Sequence, residues 1–273
     1  MVKGKGEMKE TFDAPDMKGL AVDTVCDRFS EEGWVRTSTR VPIEMDLTIY
    51  VNGQALVNIL CTPAKLNCLV FGYLYAEGII SDVSDVASMR ICEDDSLADV
   101  TLNDPGYTLP TIRTLASGCS GGGVFKTQGQ KVESDLVITP AEVLSLMQGL
   151  QEQMELYRIS GGVHTSALSD TDRLLVVAED IGRHNTLNKI QGECLLNKIS
   201  TRDKLLLITG RISSEMLLKA ARMEVPVVVS RRSPTGKAIS LANDLGITLV
   251  GQARSNRLAV FTHQERLGCP PAG

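Results

Sequence analysis

No stretch of this sequence approaches the roughly 18 consecutive apolar residues that a membrane-spanning helix needs, so a membrane span is excluded and a soluble protein is expected. Net positive charge is missing as well. The 28 Lys and Arg residues are outnumbered by 33 Asp and Glu, leaving a formal charge of -5. Proteins that coat nucleic acid usually carry the opposite sign, so no nucleic-acid partner is expected and any anion site must be local. A secretion signal is also lacking, because the first twenty residues are charged and hold no apolar core. Residues 1–40 read as a disordered or extended N-terminal tail. The seven cysteines are odd in number and widely scattered, which argues against a disulfide framework and for reduced thiols in a cytoplasm. None of the three histidines has a Cys or a second His at zinc-ligand spacing, so no protein-ligated metal is expected.

What is present suffices for a large core: 43% of 273 residues are hydrophobic, enough for one or two domains. From Pro42 to Leu60 an alternating pattern breaks at Asn52-Gly53, a pair that tolerates positive φ at both central positions of a tight turn, which predicts a hairpin. Thr62 and Pro63 read as the start of a helix running through Leu74 to a stop at Gly78. Strand-like runs follow at 86–92 and 97–102. Residues 41–138 are thus expected to form a small α+β domain that includes a glycine-rich loop. Thr139 to Glu142 is a capping box, predicting a helix over 140–157 and the start of a second domain spanning 139–268. There the order of elements is α-β-β-α-β-α-β-α-β-β, which implies an α/β unit with right-handed crossovers onto a mostly parallel sheet.

In such a sheet, ligands sit outside the carboxyl ends of the strands. The residues following each strand of the second domain are Arg183, His184 and Asn185; Arg211, Ser213 and Ser214; Arg231, Arg232, Ser233 and Thr235; and Arg254, Ser255, Asn256 and Arg257. Every one of these loops carries arginine. Three of them also open a helix, whose free N–H groups favour phosphate, and guanidinium forks add paired contacts to phosphate oxygens. A single arginine in a surface loop signifies little. Four such loops on one rim of an acidic protein point to a pocket for a ligand with several phosphates. Asp180 or Glu179 is available to accept hydrogen bonds from a base, although a capping role suits Asp180 equally. His184 at a helix start is more often an anion contact than a metal ligand.

Cys119 stands in the segment Ser117-Gly118-Cys119-Ser120-Gly121-Gly122-Gly123, where four glycines leave a thiol unshielded, and it is the cysteine to suspect of chemistry. The other six fall at positions where core packing or incidental exposure suffices.

The GCSGGG loop, SGGVH, EDIGRHNTLNKIQG, TGRISSEMLLKAA and RSNRLAVFTH together resemble the formate dehydrogenase accessory sulfurtransferase family, FdhD, over about 41 to 267. The resemblance implies that the second domain is a cytidine-deaminase-like three-layer unit. Deaminases of that fold hold zinc at two helix starts and use a nearby glutamate; here those starts read GRHNT and GRISSE, with threonine at 186, so deamination is not expected. It further implies that Cys119 carries sulfur as a persulfide from a cysteine desulfurase. The acceptor would be the bis-guanine-dinucleotide molybdenum cofactor, before its insertion into formate dehydrogenase. The stretch Gln252, Ala253, Arg254, Ser255, Asn256 and Arg257 matches the family's cofactor-binding segment, GDP would be a mimic of the cargo, and a homodimer is expected. The family often has a second cysteine in the glycine loop where this chain has Gly122. That departure keeps open the alternative of a cofactor chaperone that moves no sulfur.

Overall fold

The computed structural model describes residues 19–92, 94, 96–108 and 130–268. Strands β1 (Ala21–Ser30) and β2 (Gly33–Pro42) form an antiparallel ribbon. The sequence reading left this stretch as extended or disordered tail. Its valines and threonines favour strands, and Leu20 at its base packs with Leu156 and Val163, a tertiary contact that no local pattern discloses.

Strands β3 (Met45–Val51) and β4 (Gln54–Cys61) are the expected hairpin, turning at Asn52 (φ 49°) and Gly53 (φ 76°). With β5 (Val86–Cys92) and β6 (Leu97–Leu102) they make a four-stranded sheet in the order β4-β3-β6-β5. Its apolar face is covered by helix α1 (Leu66–Ala76). The helix starts later than the sequence suggested. Thr62 does not cap it, because the Thr62 backbone and hydroxyl all reach across to the second unit. The end falls where Gly78, at φ 75°, stops it.

The second unit contains helices α2 (Pro140–Glu152) and α3 (Glu155–Ser160), then β7 (His164–Ser169), β8 (Leu174–Asp180), α4 (Arg183–Asn197), β9 (Leu205–Ile208) and α5 (Ser214–Arg222). It closes with β10 (Val227–Ser230), α6 (Gly236–Leu245), β11 (Thr248–Arg254) and β12 (Arg257–Thr262). The capping box forms: Thr139 N donates to Glu142 Oε2 at 2.7 Å and Glu142 N to Thr139 Oγ1 at 3.3 Å. The single helix expected over 140–157 is broken after Glu152. Both Glu179 carboxylate oxygens accept the free N–H groups of a new helix start, from Leu156 at 2.7 Å and Tyr157 at 3.0 Å.

The six strands lie in the order β12-β11-β10-β9-β7-β8. Side chains alternate across it as a strand period of two requires. Leu205, Leu207, Val227 and Val229 face α2, while Leu206, Ile208 and Val228 face α4, α5 and α6. All three crossover helices lie on one face, as right-handed crossovers require when successive strands advance in one direction.

The two units are joined by α1 crossing α4 at very short range. A Cβ on Gly72 would lie 1.7 Å from Asn188 O, and one on Gly192 would lie 1.9 Å from Cys68 O, so only glycine fits at either point. Beside the crossing, the fully buried Lys189 ammonium meets Asp180 Oδ2 at 2.6 Å and donates to Thr62 O at 3.1 Å and Glu179 O at 3.2 Å.

Candidate functional site

β7 is antiparallel to both of its neighbours β8 and β9, so β8 and β9 run the same way, and β10 and β11 are parallel to β9. The carboxyl ends of β8 to β11 therefore share one rim, joined by the amino end of β7. On that rim lies a cleft of about 830 Å³ lined, among the described residues, by five arginines, Arg183, Arg211, Arg231, Arg232 and Arg254, and by no Asp or Glu. Met154, Tyr157, Val163 and the backbone of Gly161 and Gly162 supply a more apolar wall, and His164, Thr209, Gly210 and Ser233 complete it.

The loops are fixed to one another before any ligand is considered. Ser230, fully buried at the end of β10, donates to Gly210 O at 2.6 Å and accepts from Arg232 N at 2.9 Å. Thr165 N donates to Thr209 Oγ1 at 3.0 Å. Gly210 admits the neighbouring imidazole: a Cβ there would meet His164 Nδ1 at 3.2 Å. Arg183 opens α4, and its Nε is buried with no hydrogen-bond partner among the described residues. Such a donor costs about 1–3 kcal/mol when unmet, and an anion at that wall would offset it. Guanidiniums that share a cleft repel one another, and a polyanion removes the repulsion while gaining charge-assisted hydrogen bonds.

The structure separates the candidate residues into three groups. Arg183, Arg211, Ser233 and Arg254 line the cleft, with Arg231 and Arg232 beside them. A second group supports it. Thr235 caps α6, its Oγ1 accepting from Ala238 N at 3.3 Å, and Gln252 Nε2 donates to Ser233 Oγ at 3.1 Å; Ser213 stands at the start of α5 with its Oγ buried and without a partner among the described residues. The third group does not line the cleft. Asn185 is buried at 2% exposure and gives its amide to Leu60 O and Asp180 Oδ1, both at 2.8 Å. Ala253 is buried in the α2 core, and Ser255, Asn256 and Arg257 stand exposed at the β11–β12 turn. Asp180 and Glu179 are likewise engaged, one by Lys189 and the other at the start of α3, rather than offered to a base.

His184 lies 3.5 Å from Glu215 through Nε2, yet this is not an ion pair at neutral pH. Burial, then the charges of Lys219 and Arg183, push its pKa down to about 3, leaving the imidazole uncharged. Sequence reasoning did not place His164 or Tyr157 in the site. His164 begins an antiparallel strand, so a search restricted to carboxyl ends does not reach it, and Tyr157 arrives by way of the α2–α3 break.

Cys119 and the rest of the glycine loop lie outside the described residues. Among the described cysteines, burial pushes the thiols of Cys61 and Cys194 up to about 12 and that of Cys68 up to about 11. None of these three is poised as a thiolate nucleophile.

Fold and cleft together define an α/β protein with an arginine-lined cleft on one rim of its larger sheet. The chain belongs to the FdhD/NarQ family, whose model matches residues 42–268. It is 39% identical over 251 residues to the sulfur carrier protein FdhD of Bacillus subtilis (strain 168), covering 87% of this chain and 94% of that protein. Identity to the sulfur carrier protein FdhD of Staphylococcus haemolyticus (strain JCSC1435) is 38% over 248 residues, covering 88% and 94%. A crystal structure described as that of a formate dehydrogenase accessory protein from Desulfotalea psychrophila superposes with a TM-score of 0.76 at 26% identity, over 91% of this chain and 99% of that one. Among the described residues, no helix is long and apolar enough to cross a membrane.

Proposed function

We propose that this protein is a sulfur carrier required for formate dehydrogenase activity, holding the bis-guanine-dinucleotide molybdenum cofactor as cargo in the arginine cleft while Cys119 delivers sulfur to it. The observation that carries the reading is the cleft itself: among the described residues its lining holds five arginines without one carboxylate, in a chain of net charge -5. A cargo with two pyrophosphates supplies the matching charge, and guanidinium forks suit its geometry. In the proposed reaction the Cys119 thiolate attacks the terminal sulfur of a persulfide on a cysteine desulfurase. The donor's S–S bond breaks, its cysteine leaves as thiolate, and the sulfane sulfur is now on Cys119. A second transfer would pass that sulfur to the bound cargo, which would supply the electron pair that breaks the S–S bond of the Cys119 persulfide and return Cys119 as thiolate, before formate dehydrogenase receives the cargo.

The same reading takes residues 139–268 as a cytidine-deaminase-like unit put to a non-deaminase use in the cytoplasm. Supporting it, helices flank both faces of the sheet, and the starts of α4 and α5 carry Arg183 and Ser213-Ser214-Glu215 in place of a zinc-ligand set.

The test is the intact mass of the full chain after incubation with a cysteine desulfurase and cysteine. One added sulfur on the wild type, absent from Cys119→Ser, is expected. No added sulfur on the wild type would reduce the protein to a cofactor chaperone.

A further inference from the structure

His164 is the first residue of β7, and its imidazole rests against Gly210 in the wall of the cleft. Among the described residues its ring forms no hydrogen bond. The charged and titratable groups around it come from three directions. α4 presents Arg183 and the neutral His184; β8 presents Asp180, whose charge is already met by Lys189; the cleft presents Arg211 and the arginines of the β10 loop. Burial and then Arg183 hold the pKa of His164 below the ordinary histidine value, against a smaller upward pull from Asp180. Beside these arginines the neutral form of the ring is favoured, one more uncharged group beside a concentration of positive charge.

We propose that His164 is a proton-linked ligand contact, taking up a proton as a polyphosphate fills the cleft and then donating a charge-assisted hydrogen bond to a phosphate oxygen. The inference rests on the cleft being a polyphosphate site and adds a regulation of that site. Phosphates entering beside the ring reverse the sign of the local field that Arg183 sets up. The charged imidazole, unfavourable before, becomes favourable. Linkage makes the effect reciprocal: if the ligand favours the proton, the proton favours the ligand. Affinity should rise as pH falls through the interval between the pKa of His164 in the empty cleft and its higher value in the filled one, and cargo release should be easier at the alkaline side of that interval. Arginine cannot supply this, since it never loses its charge in this range.

The chain has three histidines, so the ring signals of full-length protein can be assigned and titrated by NMR with and without GDP. The His164 midpoint is expected to move up on GDP binding. Calorimetry in buffers of different ionisation heat gives the proton uptake per GDP bound. Wild type should take up more than His164→Gln, a comparison in which the ionisation of GDP itself cancels. The ratio of wild-type to variant affinity should grow on lowering the pH, by up to about tenfold per pH unit within the interval. An unmoved His164 midpoint in the GDP complex, or equal uptake by both proteins, overturns the proposal and leaves the cleft reading standing. If His164→Gln fails to fold, the wild-type NMR titration decides alone. No GDP binding by the wild type would instead overturn the cleft reading, and the proposal with it.

Discussion

Lys189 and Asp180 meet at 2.6 Å with both side chains shut away from solvent, and the pair is shared between the two units of the molecule because Thr62 of the smaller one joins both: its N–H donates to Asp180 Oδ2 at 3.1 Å and its carbonyl accepts from Lys189. Asp180 also accepts from Gly182 N and the Asn185 amide, each at 2.8 Å, so the first turn of α4, which carries Arg183 to the cleft, is held by the same carboxylate. The joint between units and the arginine-lined cleft are thus one structure.

Removing one partner of this pair strands the other charge. Lys189→Met should destabilise the protein by about 3–5 kcal/mol, the range for breaking a buried pair. Urea denaturation measures it. A loss below about 1 kcal/mol, as for an exposed pair, would show that the site is hydrated in solution.

The α1–α4 crossing admits no side chain at its two points of closest approach. Gly72→Ala places a methyl on the Asn188 carbonyl and should cost about 3 kcal/mol, at the upper end for overpacking, because backbone has little freedom to yield. Gly149→Ala, with open space around it on α2, is the control and should be neutral or slightly stabilising. Equal melting temperatures for the two variants would contradict the crossing geometry.

His184 gives the fold a pH dependence of definite sign. Its folded pKa of about 3 lies below the ordinary histidine value near 6.5, so above pH 6.5 neither state is protonated and the residue contributes no slope. Below it the unfolded chain binds a proton that the folded chain refuses, and stability falls with pH by at most about 1.4 kcal/mol per unit. His184→Asn should flatten the slope between pH 6.5 and 4.5. A variant with the wild-type slope would assign the titration elsewhere.

Within the arginines, position in the cleft should decide their worth. Arg183→Ala should weaken GDP binding about tenfold or more, the equivalent of one lost charge-assisted contact at about 1.5–3 kcal/mol. Arg257→Ala should change it little, since that residue is exposed at the β11–β12 turn and does not line the cleft. Isothermal titration of both variants checks the contrast, and the reverse ranking would return the site to the turn.

The sequence disclosed what depends on neighbours along the chain. The Asn52-Gly53 turn, the Thr139–Glu142 box, the two hairpins of the larger sheet and the arginines after its strands all follow from local pattern and formed as read. It was silent where the cause is distant. Thr62 looked like a helix cap because its partners Asp180 and Lys189 lie far along the chain. The helix over 140–157 broke because Glu179 supplies a second start, and Asn185 left the rim for the interface. His164 entered the site because β7 runs against its neighbours, which strand order reveals and residue type does not.

The most direct measurement is a calorimetric titration of GDP into the full chain at low and at raised salt. Saturable binding at low salt that weakens steadily as salt screens the phosphate–arginine contacts is expected. No heat at low salt, or an affinity indifferent to salt, would contradict the assignment of the arginine cleft as the cargo site.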